Sequence, residues 1–146
     1  MAVQPLRKEE SRNPRTLDEA RALVKHVESL FMPWNVDALA DGFTEDCVVR
    51  FGTVPELRGR EAVRAFFKTR SARQRNYRLT KQLRSLAGDT IVNVWDGAWE
   101  DADSGTPMKG FGVEVWVLSD GKIALWETAF NVGRADQAAS VADALR

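Results

Sequence analysis

The feature that most constrains this chain is a run of four strand-like segments in its second half, separated by short turn signals. The segments are rich in β-branched and aromatic residues, and the gaps between them hold glycine beside aspartate or serine, which is typical of tight turns. The segments are residues 77–86, 90–101, 108–118 and 122–132, with turns at Gly88-Asp89, Asp103-Ser104-Gly105 and Asp120-Gly121. Because strands joined by short turns pair antiparallel, the pattern predicts a meander.

The first half of the chain predicts helices. Thr16 begins a capping-box pattern ahead of apolar residues at helical spacing, and Pro33 is expected to end that helix. Asn35 is the expected N-cap of a short second helix, and a third helix is expected near Gly59. A short strand is predicted at residues 47–51, between the second and third helices. This order of elements favours an α+β fold.

The length of 146 residues fits one domain. We expect a flexible leader at residues 1–15, a single domain at residues 16–132 and a C-terminal tail at residues 133–146. The leader lacks the apolar stretch of a signal peptide or a membrane span, so no membrane association is expected.

The balance of charges argues against a nucleic-acid partner. Lys and Arg together number 21, as do Asp and Glu, so no global basic field attracts a phosphate backbone. We interpret the locally basic stretch at residues 68–78 as the solvated end of a helix that runs into a strand. Cys47 is the only cysteine and His26 the only histidine, so no disulfide and no metal site are expected, and a reducing cytoplasm fits.

Two segments and a set of strand positions carry a family resemblance that extends from about Thr16 to Asn131. Residues 43–49 and 57–63 resemble the acidic turn into strand one and the entry into helix three of the nuclear transport factor 2-like superfamily. Similarity to an uncharacterised SnoaL-like, polyketide cyclase-like branch lies at Tyr77, Arg78, Leu79, Gly88, Asp89, Trp99, Gly112, Glu114, Trp116, Gly121, Glu127 and Asn131. The resemblance implies a cystatin-like cone, in which a curved antiparallel sheet wraps the N-terminal helices around a small-molecule pocket.

That scaffold carries isomerases, cyclases, dehydratases, epoxide hydrolases and non-catalytic binders, so the resemblance leaves the activity open. Its ketosteroid isomerases use a carboxylate base, a tyrosine and a protonated aspartic acid. Aligned here, the base position is Phe51, the tyrosine position is Val27 and the acidic position is Glu114. Steroid isomerisation by that mechanism is therefore not expected. The epoxide hydrolases use two aspartates bridged by an arginine; Asp96, Asp101 and Arg50 are weak candidates, because Arg50 and Phe51 point to opposite faces of a strand.

Two glutamates in apolar strands are the candidate catalytic residues. If residues 120–121 form a two-residue turn, counting along the ladder places Glu114 directly opposite Glu127. Two neighbouring carboxylates separate their pKa values and can serve as acid and base. We expect Glu114 to act as the acid or as an oxyanion stabiliser, with Glu127 as its partner. The alternative is that one or both face outward, or across a dimer interface, and meet an arginine such as Arg84 or Arg134.

The remaining site candidates are expected to bind substrate. They are Trp34, Phe51, Trp95, Trp99, Trp116 and Asn131. Aromatic side chains commonly line ligand pockets, although a tryptophan on a sheet can instead pack in the core or at an interface. An asparagine near a strand end can instead form a turn.

Together these features predict a cofactor-independent enzyme that acts by proton transfer on a small apolar organic substrate, as an isomerase, cyclase or dehydratase. The alternative is a non-catalytic ligand-binding or dimerisation module. A homodimer is expected on either reading, because an aromatic-rich open sheet leaves an apolar outer face.

Overall fold

The computed structural model describes residues 12–137 and contains three α-helices and six strands within that range. The helices are α1 (Leu17–Ser29), α2 (Val36–Asp41) and α3 (Arg60–Arg73). The strands are β1 (Phe43–Phe51), β2 (Leu57–Arg58), β3 (Gln74–Ala87), β4 (Thr90–Asp101), β5 (Pro107–Ser119) and β6 (Lys122–Arg134), followed by a 3₁₀ turn at Ala135–Gln137. No helix within residues 12–137 combines the length and the apolarity that a membrane crossing needs.

The first two helices begin at the N-cap residues that the sequence predicts. The Thr16 hydroxyl accepts a hydrogen bond from the Glu19 backbone N–H at 3.1 Å, and the Asn35 side-chain oxygen accepts one from the Ala38 N–H at 3.1 Å. Each bond satisfies a backbone donor that has no partner inside the helix. Both predicted caps are confirmed.

The two predicted terminal segments lie partly outside the described residues. Of the leader, residues 12–15 are described, and Asn13 is buried. Its side chain donates to the Leu118 carbonyl at 3.2 Å and accepts from the Gly121 N–H at 2.7 Å. The packed part of the chain therefore begins before the predicted boundary at Thr16, and β6 extends past the predicted boundary at residue 132.

The sheet has the strand order β2-β1-β6-β5-β4-β3. Strands β3 to β6 form the predicted antiparallel meander. Strand β1 then adds to β6 in parallel, and β2 adds to β1 in antiparallel orientation. The α+β fold with helices against a curved sheet is confirmed, while the parallel β1–β6 pair makes the sheet mixed rather than wholly antiparallel.

A β-bulge lies just after the last hairpin turn. Asp120 and Gly121 both have positive φ, at 49° and 77°, which is the requirement of the predicted two-residue type I′ turn. Ser119 pairs with Lys122 as expected, but the ladder then passes from the pair Leu118–Ile123 to the pair Val117–Leu125. Strand β6 therefore contains one unpaired residue, Ala124, and every later residue of β6 is shifted by one position.

The core lies between the helices and the inner face of the sheet. Trp116 and Phe43 are among its largest fully buried side chains, and Val24 of α1 and Val63 of α3 are fully enclosed. Alternate residues of the meander strands point into this core. A polar residue at one of these inward-pointing positions therefore also points into the core.

Candidate functional site

A buried ion pair lies at the centre of the inner face. The Lys81 ammonium of β3 donates a hydrogen bond to one Glu114 oxygen, and the Trp126 indole N–H donates to the other at 2.9 Å. The side chains of Lys81 and Glu114 are only 2% and 1% exposed. Burial lowers the pKa of Lys81 from its ordinary value, although the Glu114 charge acts in the opposite direction. Lys81 therefore releases its proton more readily than a solvated lysine does.

A second cation, Arg70 of α3, lies among aromatic rings. Its guanidinium carbon is 5.0 Å from the ring centroid of Phe51 and 5.3 Å from that of Trp34. Burial lowers the pKa of Arg70 and raises the pKa of the neighbouring Tyr77 hydroxyl. The interpretation of residues 68–78 as a solvated end is therefore wrong for Arg70, because one turn of helix places it on the same face as Phe66 and Phe67.

The cavity between these groups is small. It measures about 10 Å³, which is room for about one water molecule. Its lining consists of Phe31, Phe51, Arg70, Tyr77, Leu79, Lys81, Trp95, Glu114 and Trp126. A larger ligand can enter only if aromatic side chains move, so the cavity is a closed state of any ligand site.

Glycine on β5 shapes one wall of this cavity. A Cβ atom at Gly112 would lie 2.4 Å from the indole nitrogen of Trp95, and one at Gly110 would lie 2.9 Å from the same ring. No real side chain tolerates such a contact without moving the ring. These two glycines therefore let Trp95 lie flat against the sheet.

The predicted pairing of Glu114 with Glu127 is wrong. The bulge at Ala124 places Glu114 opposite Thr128 and turns Glu127 to the outer face, opposite Val115. There Glu127 is 41% exposed and forms an ion pair with Arg50 at 3.3 Å. The alternative that one glutamate faces outward and meets an arginine thus describes Glu127, with Arg50 as the partner.

The predicted substrate-binding residues other than Asn131 fall into two groups. Phe51 and Trp95 line the cavity with Glu114. Trp34 contacts Arg70, and Trp99 packs on Tyr77 with ring centroids 5.7 Å apart. Trp116 is fully buried, and its ring centroid lies 5.6 Å from the Lys81 side-chain nitrogen. These three tryptophans support the cavity from behind its walls.

Asn131 does not belong to this cavity. It lies opposite Phe111 on the outer face of the sheet and borders a separate open groove of about 1000 Å³. Arg78, Asp96 and Lys109 also line that groove. Asn131 therefore does not lie beside Glu114, and its role in substrate binding stays a prediction.

The arginine and two aspartates considered for epoxide hydrolysis do not come together. Arg50 binds Glu56 and Glu127, and Asp96 lies on the outer face. Asp101 accepts from the Ser104 backbone N–H and from Arg73, which lower its pKa to about 2. Among residues 12–137, no group of three His, Cys, Asp or Glu side chains is arranged to hold a metal ion.

Sequence reasoning missed six residues of the cavity lining, which are Phe31, Arg70, Tyr77, Leu79, Lys81 and Trp126. Lys81 had a usable signal, because it shares strand parity with Tyr77, Leu79 and Leu83, and all of these have apolar surroundings. Arg70 had a similar signal in its spacing from Phe66 and Phe67. Arg70 was interpreted as part of a solvated basic stretch, and Lys81 was not considered as a site residue, because Lys and Arg are rarely buried.

A known family model matches most of this chain. The SnoaL-like domain model covers residues 17–126. The chain belongs to the SnoaL-like domain family. No curated protein sequence matches it.

Solved structures share the fold of this SnoaL-like chain at low sequence identity. SalBIII, an epoxide hydrolase/cyclase-like enzyme in pyran ring formation in the polyether salinomycin, has a TM-score of 0.71 and 18% identity over 80% of this chain and 96% of its own. A putative isomerase from Bacillus subtilis has a TM-score of 0.69 and 15% identity over 78% and 88%. A ketosteroid isomerase-like protein from Catenulispora acidiphila, in complex with trimethylamine, has a TM-score of 0.66 and 16% identity over 73% and 83%. At these identities the likeness establishes the fold alone.

Proposed function

We propose that this SnoaL-like chain is a cofactor-independent enzyme of the isomerase or cyclase type, which binds a small organic molecule in the inner cavity. The observation that carries the proposal is the Lys81–Glu114 pair, buried at 2% and 1% exposure beside aromatic walls. A buried ion pair is a poor way to stabilise a fold, and perturbed titratable groups concentrate at functional sites. The isomerase and cyclase-like neighbours of the same fold agree with this class.

The roles of the two charged groups follow from their hydrogen bonds. Both oxygens of Glu114 accept hydrogen bonds, one from Lys81 and one from Trp126, and we therefore assign Glu114 the role of proton acceptor. In the reaction, a C–H bond next to a substrate carbonyl breaks, the proton moves to Glu114 and the electron pair moves onto the carbonyl oxygen. Lys81 neutralises that oxyanion, and return of the proton to another atom completes the transfer.

The second candidate is a non-catalytic ligand-binding module. The small volume of the cavity, about 10 Å³, favours it, because an apolar interior that is already filled is stable without a substrate. In that case the buried pair anchors the interior and has no chemical role.

Ligand screening followed by product analysis separates the two candidates. Wild type, Glu114→Gln and the control Glu127→Gln are screened by thermal shift against small organic acids, lactones, terpenoids and polyketide-like aromatics, and each hit is tested for conversion. We expect conversion by wild type and Glu127→Gln, with loss in Glu114→Gln. Conversion that persists in Glu114→Gln overturns the assigned role, and hits that bind unchanged to all three proteins favour the binding module.

We also propose that the outer face of the sheet binds a second copy of this chain. Phe111 and Val113 project from this face at 50% and 42% exposure, and Val115 and Val117 continue the same apolar row. Sheet faces of this kind are usually covered. Light scattering tests the proposal: wild type is expected to be dimeric and Val113→Asp monomeric, whereas a monomeric wild type at micromolar concentration rules the dimer out.

A further inference from the structure

The charges on the cavity wall do not balance. Within residues 12–137, the wall carries the cations Lys81 and Arg70 and the single carboxylate of Glu114. Lys81 binds one oxygen of Glu114 and Trp126 binds the other, and Arg70 forms no ion pair with a described carboxylate. Arg70 is partly buried, and a partly desolvated charge without a counter-ion is unfavourable. The cavity therefore has a net charge of one positive unit.

The hydrogen-bonding groups of Arg70 are also incompletely used. Its Nε donates to the Gln74 side-chain oxygen at 3.3 Å, and one Nη makes a long contact of 3.5 Å to the Tyr77 hydroxyl. The other Nη meets no acceptor among residues 12–137. Aromatic ring faces stabilise the charge, but they do not replace acceptors for guanidinium N–H groups. Arg70 is thus a cation in the wall of a mostly aromatic cavity, and some of its N–H donors have no acceptor among residues 12–137.

We infer that the ligand of this cavity is a small organic monocarboxylate with an apolar body, and that Arg70 binds its carboxylate. A guanidinium binds a carboxylate through parallel N–H donors, and one bound monoanion brings the net charge of the cavity to zero. The Tyr77 hydroxyl, which burial keeps protonated by raising its pKa, supplies a further donor. The apolar body then contacts Phe51 and Trp95. The inference rests on the proposed function, because it names the substrate class of the same cavity.

Matched pairs of acids and amides test the inference. Phenylacetate and phenylacetamide have the same shape and differ in charge, as do cyclohexanecarboxylate and its amide. Binding is measured by calorimetry for wild type, Arg70→Met and Arg73→Met. Arg73 is the control, since it lies on the same helix, loses the same charge and forms ion pairs with Asp101 and Asp103 at the surface.

We expect wild type and Arg73→Met to bind an acid at least about tenfold more tightly than its amide, because a hydrogen bond to a charged group contributes on that scale. In Arg70→Met the ratio is expected to fall to about one, since the cation that distinguishes the two ligands is gone. The melting temperature of unliganded Arg70→Met is expected to equal or exceed that of wild type, because a partly buried cation without a counter-ion is removed. A purely structural Arg70 predicts a marked loss instead.

Equal binding of acid and amide by wild type, or an acid preference that survives in Arg70→Met, overturns the anion inference and leaves the cavity and the proposed function standing. Failure of wild type to bind any acid or amide of either pair, when a lactone, terpenoid or polyketide-like aromatic does bind, overturns the inference alone. Failure to bind any of these compounds removes both the inference and the proposed function. If Arg70→Met does not fold, Arg70→Lys decides: it keeps the charge but loses the planar donor array, so acid binding is expected to weaken while the acid preference persists. Equal affinity of Arg70→Lys and wild type for each acid contradicts the assigned contact.

Discussion

The Lys81–Glu114 pair predicts a strongly non-additive double-mutant cycle. Both side chains are almost fully enclosed, so solvent screens neither charge. Lys81→Met removes one of the two donors that Glu114 has among residues 12–137. Glu114→Leu removes the ion-pair partner of Lys81 and leaves it close to a second cation, Arg70. Each single change is expected to lower the free energy of unfolding by about 3–5 kcal/mol, the usual cost of leaving one buried charge unpaired.

The double variant removes both charges and retains the volume of the core. Its remaining defect is the Trp126 N–H, which loses its acceptor at a cost of about 1–3 kcal/mol. The double variant is therefore expected to be more stable than either single variant, although additivity predicts a loss of about 6–10 kcal/mol. Urea denaturation at neutral pH measures all four proteins. Single variants within about 1 kcal/mol of wild type, or a double variant whose loss equals the sum, would refute the reasoning.

Three further changes probe the wall, the outer face and the core. Gly112→Ala is expected to lower the free energy of unfolding by about 1–3 kcal/mol and to shift tryptophan fluorescence, because the added methyl group displaces the Trp95 ring. Gly133→Ala is the control, since a Cβ atom there has no neighbour within 4 Å. Equal effects of the two substitutions contradict the packing of Trp95 against Gly112. Glu127→Gln breaks only an exposed ion pair and is expected to change stability by less than about 1 kcal/mol in urea denaturation; a larger loss contradicts its outer-face position. Burial raises the pKa of the Cys47 thiol, so the unfolded chain loses the thiol proton first and the free energy of unfolding falls as pH rises above about 8.5. Urea denaturation at each pH measures this dependence, and in Cys47→Ala that part of the fall is expected to vanish. The same dependence of the free energy of unfolding on pH in Cys47→Ala and wild type contradicts the assignment.

Much of the fold follows from local chemistry that a sequence displays. Thr16 and Asn35 cap helices with their own side chains, and the Asp120-Gly121 turn forms because these two residues tolerate positive φ. These signals act over a few residues and need no knowledge of distant partners. They predict the elements and the hairpin order.

Long-range features were less accessible. The bulge at Ala124 has no glycine or other local marker, yet it moves Glu127 from the inner face to the outer face. The parallel pairing of β1 with β6 joins strands that are far apart in sequence, so no local signal marks it. Lys81 was missed because its residue type outweighed its strand parity. A one-residue shift of register is decisive for a site because side chains alternate between faces.

The surroundings of Glu114 show that this part of the core is not optimised for stability. Asn93 and Thr128 flank Glu114 on the neighbouring strands, and both are buried. Neither side-chain atom of the Asn93 amide, nor the Thr128 hydroxyl, finds a hydrogen-bond partner among residues 12–137. An apolar residue at either position would avoid that desolvation cost, and buried polar groups without partners are rare in native cores. Their concentration beside the ion pair, on the row of the sheet that borders the cavity, agrees with a region whose polarity serves a ligand rather than the fold.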